Sequence, residues 1–195
     1  VNDVTYDKIE GNFITPEPCN VDIDNIDNGI YYVSIADSGI SEIDGKVIVS
    51  TEIYTVDSYD IVDVNRMATG DVIYINGELM PVETVDKLDS GAIEINGGIE
   101  NMGCALRPKE ESNCYVFFGM DDMGSYTRKG IAELTLSDSA KLIDNSDPTE
   151  TKESTGSDVV PALKKLVENY PLNCYNCRIV VEEGAIVEIN RMYTP

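Results

Sequence analysis

Short runs of β-branched residues separated by turn residues dominate the hydrophobic pattern of the chain. Turn signals such as Asp44-Gly45 and Asn76-Gly77 divide these runs at intervals of about 8–12 residues, which is typical of a meander of strands. The pattern therefore predicts a mainly β fold, either a small β-barrel or a sandwich, over residues 30–143. The predicted strands are residues 30–36, 46–56, 60–64, 72–75, 78–85, 92–95, 115–118 and 131–136.

Helical periodicity is convincing in one segment, residues 158–170. Val159, Leu163 and Leu166 recur at helical spacing there, and Pro171 ends the pattern. A hairpin follows, for which we predict a three-residue loop over 182–184 with Gly184 at positive φ. This loop would place Val181 opposite Ala185 and make one face of the hairpin wholly apolar.

Polar segments outline the domain organisation. Residues 1–29 form an acidic N-terminal segment, and residues 144–158 contain so few apolar side chains that we expect a polar linker. Residues 159–195 would supply the helix and the hairpin. Because a segment of this size is too small to bury a core alone, we expect it to pack on the β body as one compact unit.

The composition favours strands and restricts the function. Ile and Val number 21 and 19, whereas Leu and Ala number 9 and 8. The chain has 36 acidic and 14 basic residues, a net charge of −22, which makes nucleic acid an unsuitable partner. No apolar run approaches the ~20 residues of a transmembrane segment. Histidine is absent, so catalytic mechanisms and metal sites that need an imidazole are excluded.

The motif Cys174-x-x-Cys177 is the sharpest chemical signal among the five cysteines. A thiol–disulfide oxidoreductase needs its first cysteine at a helix N-terminus, where the dipole lowers the thiol pKa. Here the motif follows the predicted helix C-terminus and continues into a strand, so the dipole would raise the pKa instead. We therefore predict that this motif is structural, as a disulfide or as buried thiols.

Cys104 and Cys114 bracket a short polar connection between two apolar stretches. A disulfide between them would close a hairpin-like excursion and is a candidate pairing, which leaves Cys19 over. The alternative is a zinc site formed by these two cysteines with Cys174 and Cys177, although the ten-residue separation departs from the usual paired spacing.

Acidic residues offer weak calcium candidates at two places. Asp22, Asp24 and Asp27 lie close together, but their spacing does not fit a preformed calcium loop. Asp121 and Asp122 are adjacent acids on a Gly-flanked loop. We predict that both groups are solvated and that neither forms a specific, tight metal site.

The C-terminal region combines the predicted helix with the sequence Val-Val-Glu-Glu-Gly-Ala-Ile-Val-Glu-Ile at 180–189 and the terminal Tyr193-Thr194-Pro195. In these features it resembles the ends of uncharacterised exported, lipoprotein-like proteins of Gram-positive gut bacteria. The resemblance implies an extracellular or cell-surface location, and the start at Val1 fits a mature or trimmed chain. It covers about a fifth of the chain and carries no functional residue with it.

These observations predict a non-catalytic extracellular or cell-surface binding module, with an unknown protein or glycan as its partner. We assign no catalytic residue and no cofactor. The 11 tyrosines could contribute to a binding surface, although most should pack in a β protein. The alternative is an enzyme, either a thiol–disulfide oxidoreductase that uses Cys174 and Cys177 or a carboxylate-dependent hydrolase.

Overall fold

The computed structural model describes residues 11–17, 20–109, 113–119 and 124–193, and the fold is mainly β, as predicted. The described part contains two α-helices, α1 (Ile61–Arg66) and α2 (Val159–Asn169). Its strands are β1 (Phe13–Ile14), β2 (Gly29–Ser34), β3 (Ile40–Ile43), β4 (Lys46–Val56), β5 (Ser58–Asp60), β6 (Val72–Ile75), β7 (Glu78–Pro81), β8 (Val85–Lys87), β9 (Ile93–Ile95), β10 (Cys104–Pro108), β11 (Cys114–Phe118), β12 (Tyr126–Asp147), β13 (Glu150–Thr155), β14 (Cys177–Glu182) and β15 (Ala185–Arg191).

The chain forms two compact units instead of the single one expected. The first unit comprises residues 1–18 and 56–127, and the second comprises residues 19–55 and 128–195. The predicted body of residues 30–143 is therefore divided between the two units. Long-range strand pairings, which local patterns do not reveal, produce this division.

The first unit contains two small sheets over one apolar core. Their strand orders are β1-β6-β7 and β5-β11-β10-β9-β8. Tyr59 is fully buried in this core, and its hydroxyl donates a hydrogen bond to the carbonyl oxygen of Tyr74 at 2.8 Å. Asp57 is buried as well, and its carboxylate accepts hydrogen bonds from the hydroxyls of Ser125 and Thr127. Both buried polar groups are thus satisfied, as a low-dielectric interior requires.

The second unit contains a seven-stranded sheet in the order β13-β12-β15-β14-β2-β4-β3. Because β12 also pairs with β4, five of these strands close into a ring, in the order β12-β15-β14-β2-β4. Alternate residues of the strands face the core, as Cys177, Ile179 and Val181 do on β14.

Helix α2 agrees with its sequence pattern and packs on the core of the second unit. Its buried residues are Val159, Leu163, Leu166 and Val167, the apolar stripe expected from the periodicity. Within the described residues no helix is long and apolar enough to cross a bilayer.

The C-terminal hairpin exists, but its predicted register is wrong. Glu182 pairs with Ala185, so the loop has two residues, Glu183 at φ +50° and Gly184 at φ +75°. A bulge beside Val187 then shifts the ladder and sets Ile179 opposite Ile189. The bulge keeps apolar residues paired despite the shorter loop. The prediction of a positive φ at Gly184 is confirmed.

Two further segments differ from their expected structures. Most of residues 144–158, expected as a polar linker, belongs to strands: β12 continues to Asp147 and β13 returns beside it. Residues 60–64, expected as a short strand, lie mainly in α1. Asp60 caps this helix, because its carboxylate accepts hydrogen bonds from the backbone N–H groups of Val62 and Asp63.

Candidate functional site

The second unit contains a pocket of about 540 Å³, whose walls come from β12, β13, α2 and β15. Leu142, Asp144 and Ser146 line it from β12, and they share one face of the strand because side chains alternate. Antiparallel pairing places Ser154 opposite Leu142 and Lys152 opposite Asp144, so β13 extends the same wall. The volume lies within the range of roughly 300–1,000 Å³ that is typical of small-molecule sites.

One face of α2 and the residue that follows it form the opposite wall. From Ala162, Lys165 and Leu166 lie three and four residues along the helix, and Asn169 lies a further four and three residues on, which places all of them on one face. Tyr170 follows the helix. Leu166 also belongs to the core, so the pocket has an apolar base, while the lysine and the asparagine are exposed. The pocket thus combines a buried base with a polar rim.

Arg191 is the most enclosed charged group of the pocket. It lies on β15 beside Asp144 of β12, and its Nη1 is 3.7 Å from the Oδ2 atom of that carboxylate. The guanidinium carbon lies 4.4 Å from the centre of the Tyr170 ring, which places the cation over the aromatic face. Only 13% of the Arg191 side chain is exposed, and within the described residues its Nε is buried without a hydrogen-bond partner.

The charge of Arg191 is incompletely compensated by the protein. A separation of 3.7 Å is beyond hydrogen-bond length, and Asp144 also accepts a bond from the backbone N–H of Ser146 at 3.0 Å. A buried N–H donor without a partner costs free energy comparable to a lost hydrogen bond. The guanidinium is therefore incompletely paired by the protein, and because its Nε is enclosed, an acceptor entering the pocket would have to bond to the terminal Nη nitrogens.

Cationic side chains outnumber acidic ones in the lining of the pocket. Lys152, Lys165 and Arg191 face a single carboxylate, Asp144, although the whole chain has a net charge of −22. Lys152 is 3.4 Å from Glu150 in an exposed pair of little energetic weight. The lining of the pocket consequently has three cations to one carboxylate, the reverse of the charge balance of the whole chain.

The Cys-x-x-Cys motif spans a tight turn that holds Cys174 and the first residue of β14, Cys177. Cys177 donates its backbone N–H to the carbonyl oxygen of Asn173 at 2.8 Å, and both Cys174 and Cys177 are buried free thiols. Burial raises the pKa of Cys177 to about 12, and it also raises the pKa of Cys174 above the usual value for a thiol. These pKa directions favour inert thiols, since the thiolate is the reactive form.

The structure does not bring Cys104 and Cys114 together. Each begins a strand of the β10–β11 ladder, in which Ala105 pairs with Phe118 and Pro108 with Tyr115. The two cysteines therefore lie at opposite ends of the ladder, roughly 17 Å apart at about 3.4 Å per residue. A disulfide joins Cα atoms that are about 4–7 Å apart, so this candidate pairing would need a different register. Burial raises the pKa of Cys104 to about 12.

The acidic calcium candidates differ in how much the structure describes. Asp22, Asp24 and Asp27 are exposed, and the Asp22 side chain accepts a hydrogen bond from the backbone N–H of Asp24. Asp121 and Asp122 lie outside the described residues. In the described part of the chain, no group of three or more cysteine, aspartate or glutamate side chains is placed to hold a metal ion.

Sequence reasoning did not find the pocket. The segment expected to be a linker contains four of its residues, Asp144, Ser146, Lys152 and Ser154, and Arg191 lies near the end of the segment expected to form the helix and hairpin. A signal was present, because Asp147-Pro148-Thr149 is a turn sequence. The low hydrophobicity of that hairpin concealed it.

Comparison with protein-family models, with curated proteins and with solved structures found no match to this chain. The assignment of the site therefore depends on its geometry and chemistry alone.

Proposed function

We propose that this protein is a non-catalytic binding module and that the pocket between α2 and the β12–β13 hairpin is its ligand site. The pocket itself carries the proposal: it has the volume of a small-molecule site, an apolar base and several converging polar groups. It is built on a helix and three strands, and rigid elements of this kind hold a binding geometry more accurately than loops do.

The roles of the charged groups support binding over catalysis. Asp144 is engaged by the backbone N–H of Ser146 and by Arg191, so it acts as an anchor within the wall. A carboxylate-dependent hydrolase needs two acids across a cleft, whereas this pocket is lined by one carboxylate.

The oxidoreductase alternative receives little support from the thiols. Cys177 is fully buried, and burial raises its pKa to about 12. A catalytic Cys-x-x-Cys pair instead needs an exposed attacking sulfur and a depressed pKa. We therefore retain the structural interpretation of Cys174 and Cys177.

The resemblance of the C-terminal region to exported lipoprotein-like proteins supports a location outside the cell. We propose that the module is displayed at the cell surface and binds a glycan or protein there. Protease treatment of intact producing cells tests the location, because a surface protein is degraded while a cytosolic marker survives. Survival of the protein until the cells are lysed would contradict export.

A pocket-filling variant tests the site. Ala162→Phe places a ring in the pocket, whereas Lys164→Phe adds the same ring to an exposed position of α2 outside the lining. A thermal-shift screen of glycans, peptides and small metabolites should give hits that are lost in the first variant and kept in the second. If the hits persist in Ala162→Phe, or if the wild-type protein gives none, this pocket is not the ligand site.

A further inference from the structure

We infer that the pocket of the second unit binds the carboxylate group of a small acidic sugar. This inference rests on the binding function proposed above and specifies the chemistry of the ligand.

Arg191 supplies the recognition of the carboxylate. Its guanidinium is held over the Tyr170 ring, lies 3.7 Å from Asp144, and has a buried Nε without a hydrogen-bond partner among the described residues. Arginine presents a planar fork of donors that matches the two oxygens of a carboxylate. An acidic ligand would thus meet a cation whose orientation is already set.

The lysines at the rim add charge at positions that solvent can reach. Lys165 is exposed on α2, and Lys152 is exposed on the facing strand. Both can approach an anion that has entered between them. Because the enclosed and exposed cations act together, the pocket is selective for negative charge even though the protein as a whole is acidic.

The net charge of the protein restricts the ligand to a small anion. With a net charge of −22, the chain repels extended polyanions over the whole of their length. A single carboxylate in the pocket interacts mainly with the charged groups nearest to it, and the lining supplies three cations and one carboxylate, whereas an extended polyanion also meets acids beyond the pocket. A small acid is therefore favoured over nucleic acid or a polyphosphate.

The remaining lining suits the hydroxyl groups of a sugar. Ser146 and Ser154 supply hydroxyls from neighbouring strands, and Asn169 supplies a side-chain amide whose nitrogen donates to the carbonyl oxygen of Lys165. Serine hydroxyls both donate and accept hydrogen bonds, as sugar hydroxyls do. The apolar base formed by Leu142 and Leu166 can cover the C–H groups of the ring.

Glucuronate and glucose form a matched pair of probes, because they differ at the carboxylate. We expect glucuronate to shift the amide NMR signals of the 15N-labelled protein around Lys152 and Lys165, and to bind at least about tenfold more tightly than glucose. Acetate tests whether a carboxylate without a sugar is sufficient for binding, and inorganic phosphate tests whether another oxyanion can replace the carboxylate. Both should bind more weakly than glucuronate.

Adjacent lysines provide the variants. Lys165→Gln removes a cation from the pocket and should weaken glucuronate binding by about threefold or more. Lys164→Gln removes the same charge from an exposed residue outside the lining and should leave the affinity unchanged. Arg191→Lys keeps the charge but loses the planar fork, so it should weaken binding by about tenfold.

The outcomes separate this inference from the proposed function. If glucose binds as well as glucuronate, or if Lys165→Gln and Lys164→Gln behave alike, the inference on the acidic ligand is wrong while a binding role of the pocket survives. If acetate or phosphate binds as tightly as glucuronate, the sugar part of the ligand contributes nothing to binding, and the assignment of an acidic sugar is wrong. No shifts with about 100 mM glucuronate would overturn the inference altogether. The Ala162→Phe screen judges the binding function independently.

Discussion

The two-residue turn of the C-terminal hairpin should respond sharply to substitution of Gly184. This glycine has φ +75°, a left-handed conformation that side chains with a Cβ rarely adopt. A Cβ built at Gly184 has nothing within 4 Å, so the cost of a substitution comes from the backbone alone. We expect Gly184→Val to lower the free energy of unfolding by about 1–2 kcal/mol.

The neighbouring Glu183 provides the opposite test. It already occupies φ +50°, and asparagine tolerates this conformation better than glutamate. Glu183→Asn should therefore raise the free energy of unfolding by up to about 1 kcal/mol. Glu183→Asn also removes a negative charge. Its control is Glu182→Gln, which removes the same charge from a strand residue that pairs with Ala185.

Urea unfolding followed by circular dichroism measures both changes. With a slope of about 2 kcal/mol/M, the midpoint should fall by roughly 0.5–1 M in Gly184→Val and rise by less than that in Glu183→Asn. If the two units unfold in separate transitions, only the transition of the second unit should shift, because the hairpin belongs to that unit. A neutral Gly184→Val, or an equal gain in Glu182→Gln and Glu183→Asn, would refute the turn geometry.

Four other properties can be checked in the same preparations. The free energy of unfolding should fall as the pH rises from about 9 to 12, because burial raises the pKa of Cys104 and Cys177 to about 12 whereas the same thiols in the unfolded chain ionise at lower pH. Urea midpoints measured at several pH values test this. In Cys177→Ala the midpoint should decline less steeply with pH. In the native protein, iodoacetamide should alkylate Cys174 and Cys177 slowly, and the protein should not reduce insulin. A pKa below about 7 for the alkylation of Cys174 would favour the oxidoreductase alternative. Asp60→Ala should cost about 1 kcal/mol through loss of the α1 cap, and an unchanged urea midpoint would argue against that helix. Calcium should give no rise in melting temperature beyond that of sodium at equal ionic strength; a large specific rise would point to a tight site.

The sequence alone determined the features that depend on a few neighbouring residues. Strand β4 (Lys46–Val56) matches its predicted range, and α2 (Val159–Asn169) lies within one residue of its predicted ends. Turns at Asp44-Gly45 and Asn76-Gly77 also occur where their sequences predict them, because Asp and Asn adopt positive φ readily before glycine. Periodicity and turn chemistry are local, so they can be recognised without the fold.

The hairpin register shows where local information was insufficient. Glu183-Gly184 has the same pair of positive φ angles as the other two turns, but glutamate is not a usual residue at such a position. The sequence favours a three-residue loop because that loop pairs apolar residues directly. The bulge at Val187 restores that pairing in a different way, and its place depends on the packing of β14 and β15 against the ring.

The candidate site was decided entirely by tertiary structure. Asp144 and Arg191 are far apart in the sequence and meet because β12 and β15 are parallel neighbours in the ring. The β12–β13 hairpin looked like a linker, since its polar residues carry almost no hydrophobic signal. Strand β13 is held in place by its hydrogen-bonded ladder to β12, and α2 lies across the pocket from it. A pocket depends on which strands become neighbours, and that choice is set by burial of the whole core and not by any short segment.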